Sequence, residues 1–322
     1  MKKILVLGGS GFVGRQLCET LSRQRWRITV PTRRLSQVQA LLSLPLLQPV
    51  ETSIHDESTL ADLMAGHDAV VNLVAILHGN EAAFEKAHVA LPAKIARACE
   101  TAGVRRLVHV SALGAAPDAP SMYLRSKARG EAALQAAAQT GSLDLTVLRP
   151  SVIFGAQDRF LNLFARLQTV FPVMPLAGAD ARFQPVWVGD VGTAVLRCLQ
   201  RPDSIGQTFE ACGPDVYTLR ELVQLSGRLA GVNEGRGRPV IGLPAALGRL
   251  QALLMELAPG EPLMSRDNLH SMAVDNIATG RLPGLQALGI APARLTGIAS
   301  GYLGTQGRRS RLNDLRRTSG RC

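Results

Sequence analysis

The first 150 residues alternate two hydrophobic patterns. Residues 4–7 (ILVL) are continuously apolar and run into Gly8 and Gly9, as a strand buried on both faces does before a turn. Residues 12–23 then space Val13, Leu17 and Leu21 along one helical stripe. Continuous apolar runs return at 28–30, 69–76 (AVVNLVAI), 107–110 and 145–148. Helical spacing occupies 84–101, with Gly103 placed to close it, and 123–140. Strands alternating with helices predict an α/β protein, a doubly wound parallel sheet covered on both faces.

After Pro150 the rhythm loosens. Residues 151–185 read as loops and one helix, 186–200 as a strand-edge segment and helix, 208–211 as a late strand and 219–229 as a helix. Leu243, Leu247, Leu250, Leu254 and Leu257 fall at steps of 4, 3, 4 and 3, on one helix face. Such a stripe reads as core or interdomain contact, the alternative being a helix lying on a membrane. The domains expected are 1–150, with 184–212 returning to it; a smaller, mainly helical region of 151–183 and 213–303; and a basic flexible tail, 304–322.

Composition sharpens this. Aromatics are only 4% of residues, so the core must be built from Ala, Leu and Val. The net charge is +11, and 304–322 carries six arginines against Asp314. That tail reads as a solvated end, with contact to an anionic membrane as the alternative. No aromatics interleave its arginines, so no nucleic acid is expected. The five cysteines (18, 99, 198, 212, 322) are scattered without a CxxC pair, which predicts a reducing compartment and no metal site. No run of 18 apolar residues occurs, and the first run is too short for a signal peptide. The expected location is cytoplasmic, with a peripheral place at the inner face of the membrane as the variant.

Gly8, Gly11 and Gly14 follow the first strand and open the first helix. That context separates a dinucleotide fingerprint from an ordinary glycine-rich turn: a tight turn, close backbone approach to a pyrophosphate, and close helix–strand packing. The sheet is therefore expected to be of Rossmann type. Where NAD-preferring sites carry an acid after the second strand, this chain has Pro31-Thr32-Arg33-Arg34. An arginine fork binds a 2′-phosphate, so NADP(H) is expected over NAD(H), unless these are simply two surface arginines.

Residues 123–131 read YLRSKARGE, with Tyr123 and Lys127 four apart in a chain of three tyrosines and five lysines. On one helix face the ammonium would favour the phenolate and lower the phenol's pKa. Taken together, GGSGFVG (8–14), HVSALGA (109–115), YLRSK, LRPSVIFG (148–155) and QPVWVGDVGTAV (184–195) resemble the extended and atypical short-chain dehydrogenase/reductases. Within them the chain is similar to the branch of the nucleotide-binding accessory subunit of respiratory complex I and its bacterial relatives. The likeness covers residues 1–230 and thins beyond.

The resemblance implies a pyrophosphate loop of Gly8, Ser10, Gly11, Phe12, Val13 and Gly14, with Arg33 at the adenosine ribose. It places Ala75 and Ile76 by the ribose and nicotinamide, and Pro150, Val152 and Ile153 beside the nicotinamide. Tyr123 and Lys127 match the catalytic pair, Lys127 also reaching the ribose. The chain departs from relatives in having Thr52-Ser53 where they carry Gly-Asp, with Asp56 kept. Ser111 is the nearest catalytic hydroxyl, but Leu113 stands where many relatives place theirs.

Two functions from different classes follow. One is an NADPH-dependent oxidoreductase on a small apolar carbonyl or quinone, its pocket lined by Phe160, Phe164, Phe171 and Met174 within 154–175. The other is a non-catalytic nucleotide-binding accessory or assembly protein of a respiratory or quinone-synthesis complex. A sugar-nucleotide epimerase is the third option, without a visible second nucleotide site.

Overall fold

The computed structural model describes residues 1–257 and 264–304; the tail expected at 304–322 lies outside them apart from Gly304. The chain forms two compact units. The first comprises residues 1–150, 188–211 and 278–291, and the second 151–187, 212–277 and 292 onward.

The first unit opens β1 (Lys3–Leu7), α1 (Phe12–Arg23), β2 (Arg27–Thr32), β3 (Leu47–Glu51), α2 (Glu57–Met64) and β4 (Ala69–Asn72). It continues with α3 (Glu81–Phe84), a wide π-turn at Glu85–Ala90, α4 (Leu91–Ala102), β5 (Arg106–Val110), α5 (Met122–Gln139) and β6 (Asp144–Pro150). In the second unit come β7 (Ile153–Phe154), α6 (Leu161–Val170), β8 (Met174–Leu176), β9 (Arg182–Phe183) and β10 (Val186–Trp187). The chain then returns to the first unit for α7 (Val188–Gln200) and β11 (Thr208–Ala211). The second unit resumes with β12 (Tyr217–Thr218), α8 (Leu219–Leu229), β13 (Val240–Gly242), α9 (Ala245–Leu257) and α10 (Arg266–Ser271), and later α11 (Leu295–Leu303).

Seven parallel strands stand in the order β11-β6-β5-β4-β1-β2-β3. The order reverses between β1 and β4, the switch point at whose strand ends open α/β sheets bind ligands. Leu5, Leu7, Val70, Leu107 and Leu145 bury one face of the sheet against Leu60 and Met64 of α2, Leu91 and Ile95 of α4, and Leu134 of α5. Gly103 ends α4 with φ 70°, a left-handed cap that an L side chain adopts at a cost.

Segment 278–291 belongs to the first unit, whereas the sequence pattern assigned it to the smaller region. A main-chain hydrogen bond explains this: Glu210 N–H donates to the Pro283 carbonyl (2.9 Å), along the outer edge of β11. The Glu210 carboxylate also accepts from the Thr279 hydroxyl (2.7 Å) and N–H (2.8 Å).

The second unit is mainly helical and has its own core. Phe154, Leu161, Leu222 and Leu295 form one part, and Phe164, Met174, Leu219 and Val223 another. Phe160 packs partly buried against both, and Phe171 is exposed. The aromatics expected to line a pocket are thus mostly core. The leucine stripe is also turned the other way from its core reading. α9 buries Gly248 and Ala252, while Leu247, Leu250, Leu254 and Leu257 are exposed.

Candidate functional site

The glycine turn is shaped by close approach. Gly8 has φ +82°, and a Cβ there would meet the Leu73 carbonyl carbon at 3.1 Å. The Gly11 N–H closes the turn onto the Gly8 carbonyl (3.0 Å). A Cβ on Gly14 would fall 2.4 Å from the Gly8 carbonyl oxygen and 2.5 Å from Gly9 Cα, so only glycine fits. Gly11 caps α1 with no side-chain acceptor, and the first turn carries no acid. Phe12 and Val13, half-buried, begin a helix whose first amides are left for an anion. The Ser10 carbonyl accepts from Arg15 Nε (2.9 Å), so a second arginine lies against the loop. The sequence reading did not single it out.

At the end of β2, Arg33 and Arg34 are exposed, and the Thr32 hydroxyl donates to the Arg34 carbonyl (3.0 Å) to set the turn. His55 sits among cations. Burial first, then Lys86, Lys94 and Arg33, depress its pKa, and Lys94 Nζ donates to its carbonyl (2.6 Å). Asp56 is spoken for: it accepts from Thr59 N–H (2.9 Å) and the Ser58 hydroxyl (2.6 Å) as the cap of α2. These bonds lower its carboxyl to about 2. The cations around His55, beside an Asp56 carboxylate already engaged as a helix cap, fit a phosphate-rich ligand.

Ala75 is exposed and Ile76 half-buried on the loop after β4. Asn72 fixes the start of this loop, accepting from Val74 N–H (3.1 Å) and donating to His109 Nδ1 (3.1 Å). Further along, Ile76 N–H donates to His88 Nε2 (3.0 Å). His88 was not recognised from the sequence. It sits in the π-turn, 2% exposed, where the widened helix turns its ring inward. Because Nε2 accepts from a backbone amide, the ring proton is on Nδ1. Nδ1 donates to Ser126 Oγ (2.9 Å), and that hydroxyl donates to the Tyr123 carbonyl (2.7 Å). The His88 ring also meets Tyr123 edge-on, with centroids 5.5 Å apart. One neutral imidazole therefore ties the Ile76 loop to the helix that carries Tyr123.

Burial, with Lys127 adding to it, pushes His88 down to about 3 from 6.5. The unfolded chain binds this proton below about 6.5 and the folded chain does not, so stability is full above that value and falls as pH drops. At about pH 5 the linkage costs roughly 2 kcal/mol. Urea unfolding at about pH 7 and 5 should show wild type losing about that much more than His88→Phe.

Lys127 is 1% exposed. Its Nζ donates to the Val110 carbonyl at the end of β5 (2.9 Å). Burial lowers it to about 8, opposed by Glu131. The Tyr123 phenol is not lowered as the pairing argument expected: burial pushes it up to about 12. Desolvation of the phenolate outweighs an ammonium already engaged by a carbonyl. The Ser111 N–H donates to the Leu148 carbonyl (2.8 Å), and its hydroxyl is buried with no partner. Leu113 is buried and hydroxyl-free, its N–H on the Pro150 carbonyl (2.9 Å).

The first unit thus gathers the glycine turn, the Ile76 loop, Ser111, Tyr123 and Lys127 at the carboxyl ends of β1, β4 and β5. Val152 and Ile153 belong to the second unit. There Val152 N–H donates to Asn276 Oδ1 (3.2 Å) and Ile153 pairs with Val186. The Gly14 cradle, the cations around His55 and the unpartnered Ser111 hydroxyl fit a nicotinamide dinucleotide.

Comparison with known proteins agrees with this geometry. The NAD dependent epimerase/dehydratase family matches residues 4–212. The chain is 32% identical over 297 residues to the mitochondrial NADH dehydrogenase (ubiquinone) 1 alpha subcomplex subunit 9 of Rattus norvegicus, covering 90% of this chain and 76% of that one. It is 28% identical to the Arabidopsis thaliana protein of the same name, covering 92% and 76%. Among solved structures, the dTDP-glucose 4,6-dehydratase DesIV of Streptomyces venezuelae, with NAD and TYD bound, superposes with a TM-score of 0.74. That pair is 20% identical and covers 96% and 97% of the two chains. The glycine turn, the sheet order and these matches together mean that the chain belongs to the NAD dependent epimerase/dehydratase family of extended short-chain dehydrogenases, and that it is similar to alpha subcomplex subunit 9 of mitochondrial NADH dehydrogenase.

Proposed function

We propose that the chain is an NADP(H)-binding accessory or assembly protein of a respiratory or quinone-linked complex, in which the nucleotide is held for structure rather than turned over. The state of the reactive pair carries this reading. Burial pushes the Tyr123 phenol up to about 12, which makes it a weak proton donor, and one Lys127 N–H is engaged by the Val110 carbonyl. Leucine stands at 113, so a second donor to polarise a substrate carbonyl is missing there. The relationship to NADH dehydrogenase subunits over most of both chains supports the same reading.

Tyr123→Phe is therefore expected to bind NADPH within about twofold of wild type and to restore complex assembly fully in a deletion strain. Loss of assembly or respiration with nucleotide binding retained would overturn the proposal.

The oxidoreductase reading keeps one observation in its favour: Tyr123 and Lys127 share a face of α5, with the buried Ser111 hydroxyl unpartnered. Reduced nicotinamide supplies hydride when bound. A phenol protonated at neutral pH would then give the proton to the carbonyl oxygen.

For the cofactor, Arg33 and Arg34 at the end of β2 support the 2′-phosphate. Arg33→Ala should weaken NADPH about tenfold or more and NADH by less than about threefold, measured by fluorescence titration. Equal losses would refute the phosphate role.

A further inference from the structure

The glycine turn divides a bound dinucleotide into two halves. On one side, past β2 and β3, stand the exposed Arg33 and Arg34 and the Lys94 ammonium at the His55 carbonyl. Positive charge draws the phosphorylated adenosine half there. The other half then falls across the switch point, toward the loop that leaves β4. That loop lies against the turn, since a Cβ on Gly8 would also meet the Val74 nitrogen at 3.2 Å.

The loop runs from Leu73 to Asn80 without helix or strand, and side chains hold its amides. Val74 N–H is on Asn72 Oδ1 and Ile76 N–H on His88 Nε2. His88 is in turn held from several directions. Its Nδ1 donates to Ser126 Oγ. Its ring packs on those of Phe84 and Tyr123, with centroids 5.6 and 5.5 Å away. Its carbonyl lies under Gly130 of α5, where an added Cβ would overlap the oxygen, so α5 presses on the π-turn as closely as a glycine allows. The imidazole is buried with both nitrogens engaged. It therefore acts on a ligand through Ile76 and Tyr123 and not by touching it. Without it the Ile76 amide loses its acceptor, and the loop loses its tie to α5.

We propose that His88 is a positioning residue: through Ile76 and Ser126 it holds the loop after β4 against α5, and so fixes the nicotinamide half of a bound dinucleotide while leaving the adenosine half alone. This rests on the nucleotide reading given above.

The test titrates the full chain with NADPH and with adenosine 2′,5′-bisphosphate, which lacks the nicotinamide half. Wild type should hold NADPH about tenfold or more tighter than the bisphosphate. His88→Leu should weaken NADPH about tenfold and change the bisphosphate by less than about twofold. The fluorescence of bound NADPH should shift toward that of the free nucleotide. His88→Gln, whose amide oxygen can take the Ile76 N–H, should recover NADPH to within about threefold. Should His88→Leu not fold, Ser126→Ala carries the same comparison, with NADPH alone weakened. Equal losses for both ligands would make His88 merely structural and overturn the inference, as would unchanged NADPH affinity. Wild type that binds both ligands equally would overturn the inference and leave the nucleotide reading standing. Wild type that binds neither would overturn both.

Discussion

Gly14→Ala is expected to abolish nucleotide retention while leaving the sheet assembled. The new methyl would stand 2.4 Å from the Gly8 carbonyl oxygen and 2.6 Å from that of Gly9. Both contacts are backbone, so no side chain can swing aside. Either α1 withdraws from β1 or the turn opens, and each spoils the aim of the first amides at a diphosphate. A loss on the order of a hundredfold in NADPH affinity follows, about 2.7 kcal/mol. Gly11→Ala is the internal comparison. Its methyl would meet the Gly8 carbonyl at 3.3 Å, and its backbone lies in the extended region at φ −75°, so a smaller loss is expected. Calorimetric titration of both variants checks the ranking, and equal affinities would remove the diphosphate cradle as an explanation for these glycines.

The second large effect is on stability. Glu131 is 1% exposed in α5 and takes Arg149 Nε on both carboxylate oxygens (3.0 and 3.1 Å). A surface pair contributes little, but removing one partner of a buried pair leaves a charge without compensation. Arg149→Met should cost about 3–5 kcal/mol in urea unfolding. The further change Glu131→Leu should recover most of that loss, because burying two apolar groups in place of an ion pair is close to neutral. A single-variant loss below about 1 kcal/mol would place the pair with the surface bridges. Glu131 lies one turn beyond Lys127 and raises its pKa, so this pair also supports the ammonium at the site.

Much of this was legible in the residues. The bounds of α1 and the closure of α4 by Gly103 follow from periodicity and one glycine. The sheet followed because interior strands are continuous apolar runs. β3 (LQPVE) left no apolar run to read, because it lies at the sheet edge with no residue fully buried; only the resemblance placed a third strand before Thr52-Ser53. The π-turn escaped because the apolar spacing of 84–101 reads as one helix, and an inserted wide turn shifts the face without breaking the pattern. His88 is a lone histidine in sequence, and its importance appears only when Ile76 and Ser126 are brought to its two nitrogens. On α9, periodicity correctly gave a leucine face but could not say which side packs. Gly248 and Ala252 won the protein side because they let the helix approach Ala177 closely. The phenol's direction was misread for a related reason, since spacing shows a neighbouring ammonium but not the depth of burial.

The returning path of the chain bears on how it is made. β6 is finished at Pro150, yet its outer neighbour β11 begins only at Thr208, and the segment that borders β11 lies at 278–291. At synthesis rates of about 5–20 residues per second, the free edge of β6 stays open for several seconds while the ribosome is still working. Unpaired edges of that kind recruit other chains. Fast translation, or a holdase waiting at the exit tunnel, should therefore govern the yield of native protein more than the final stability does.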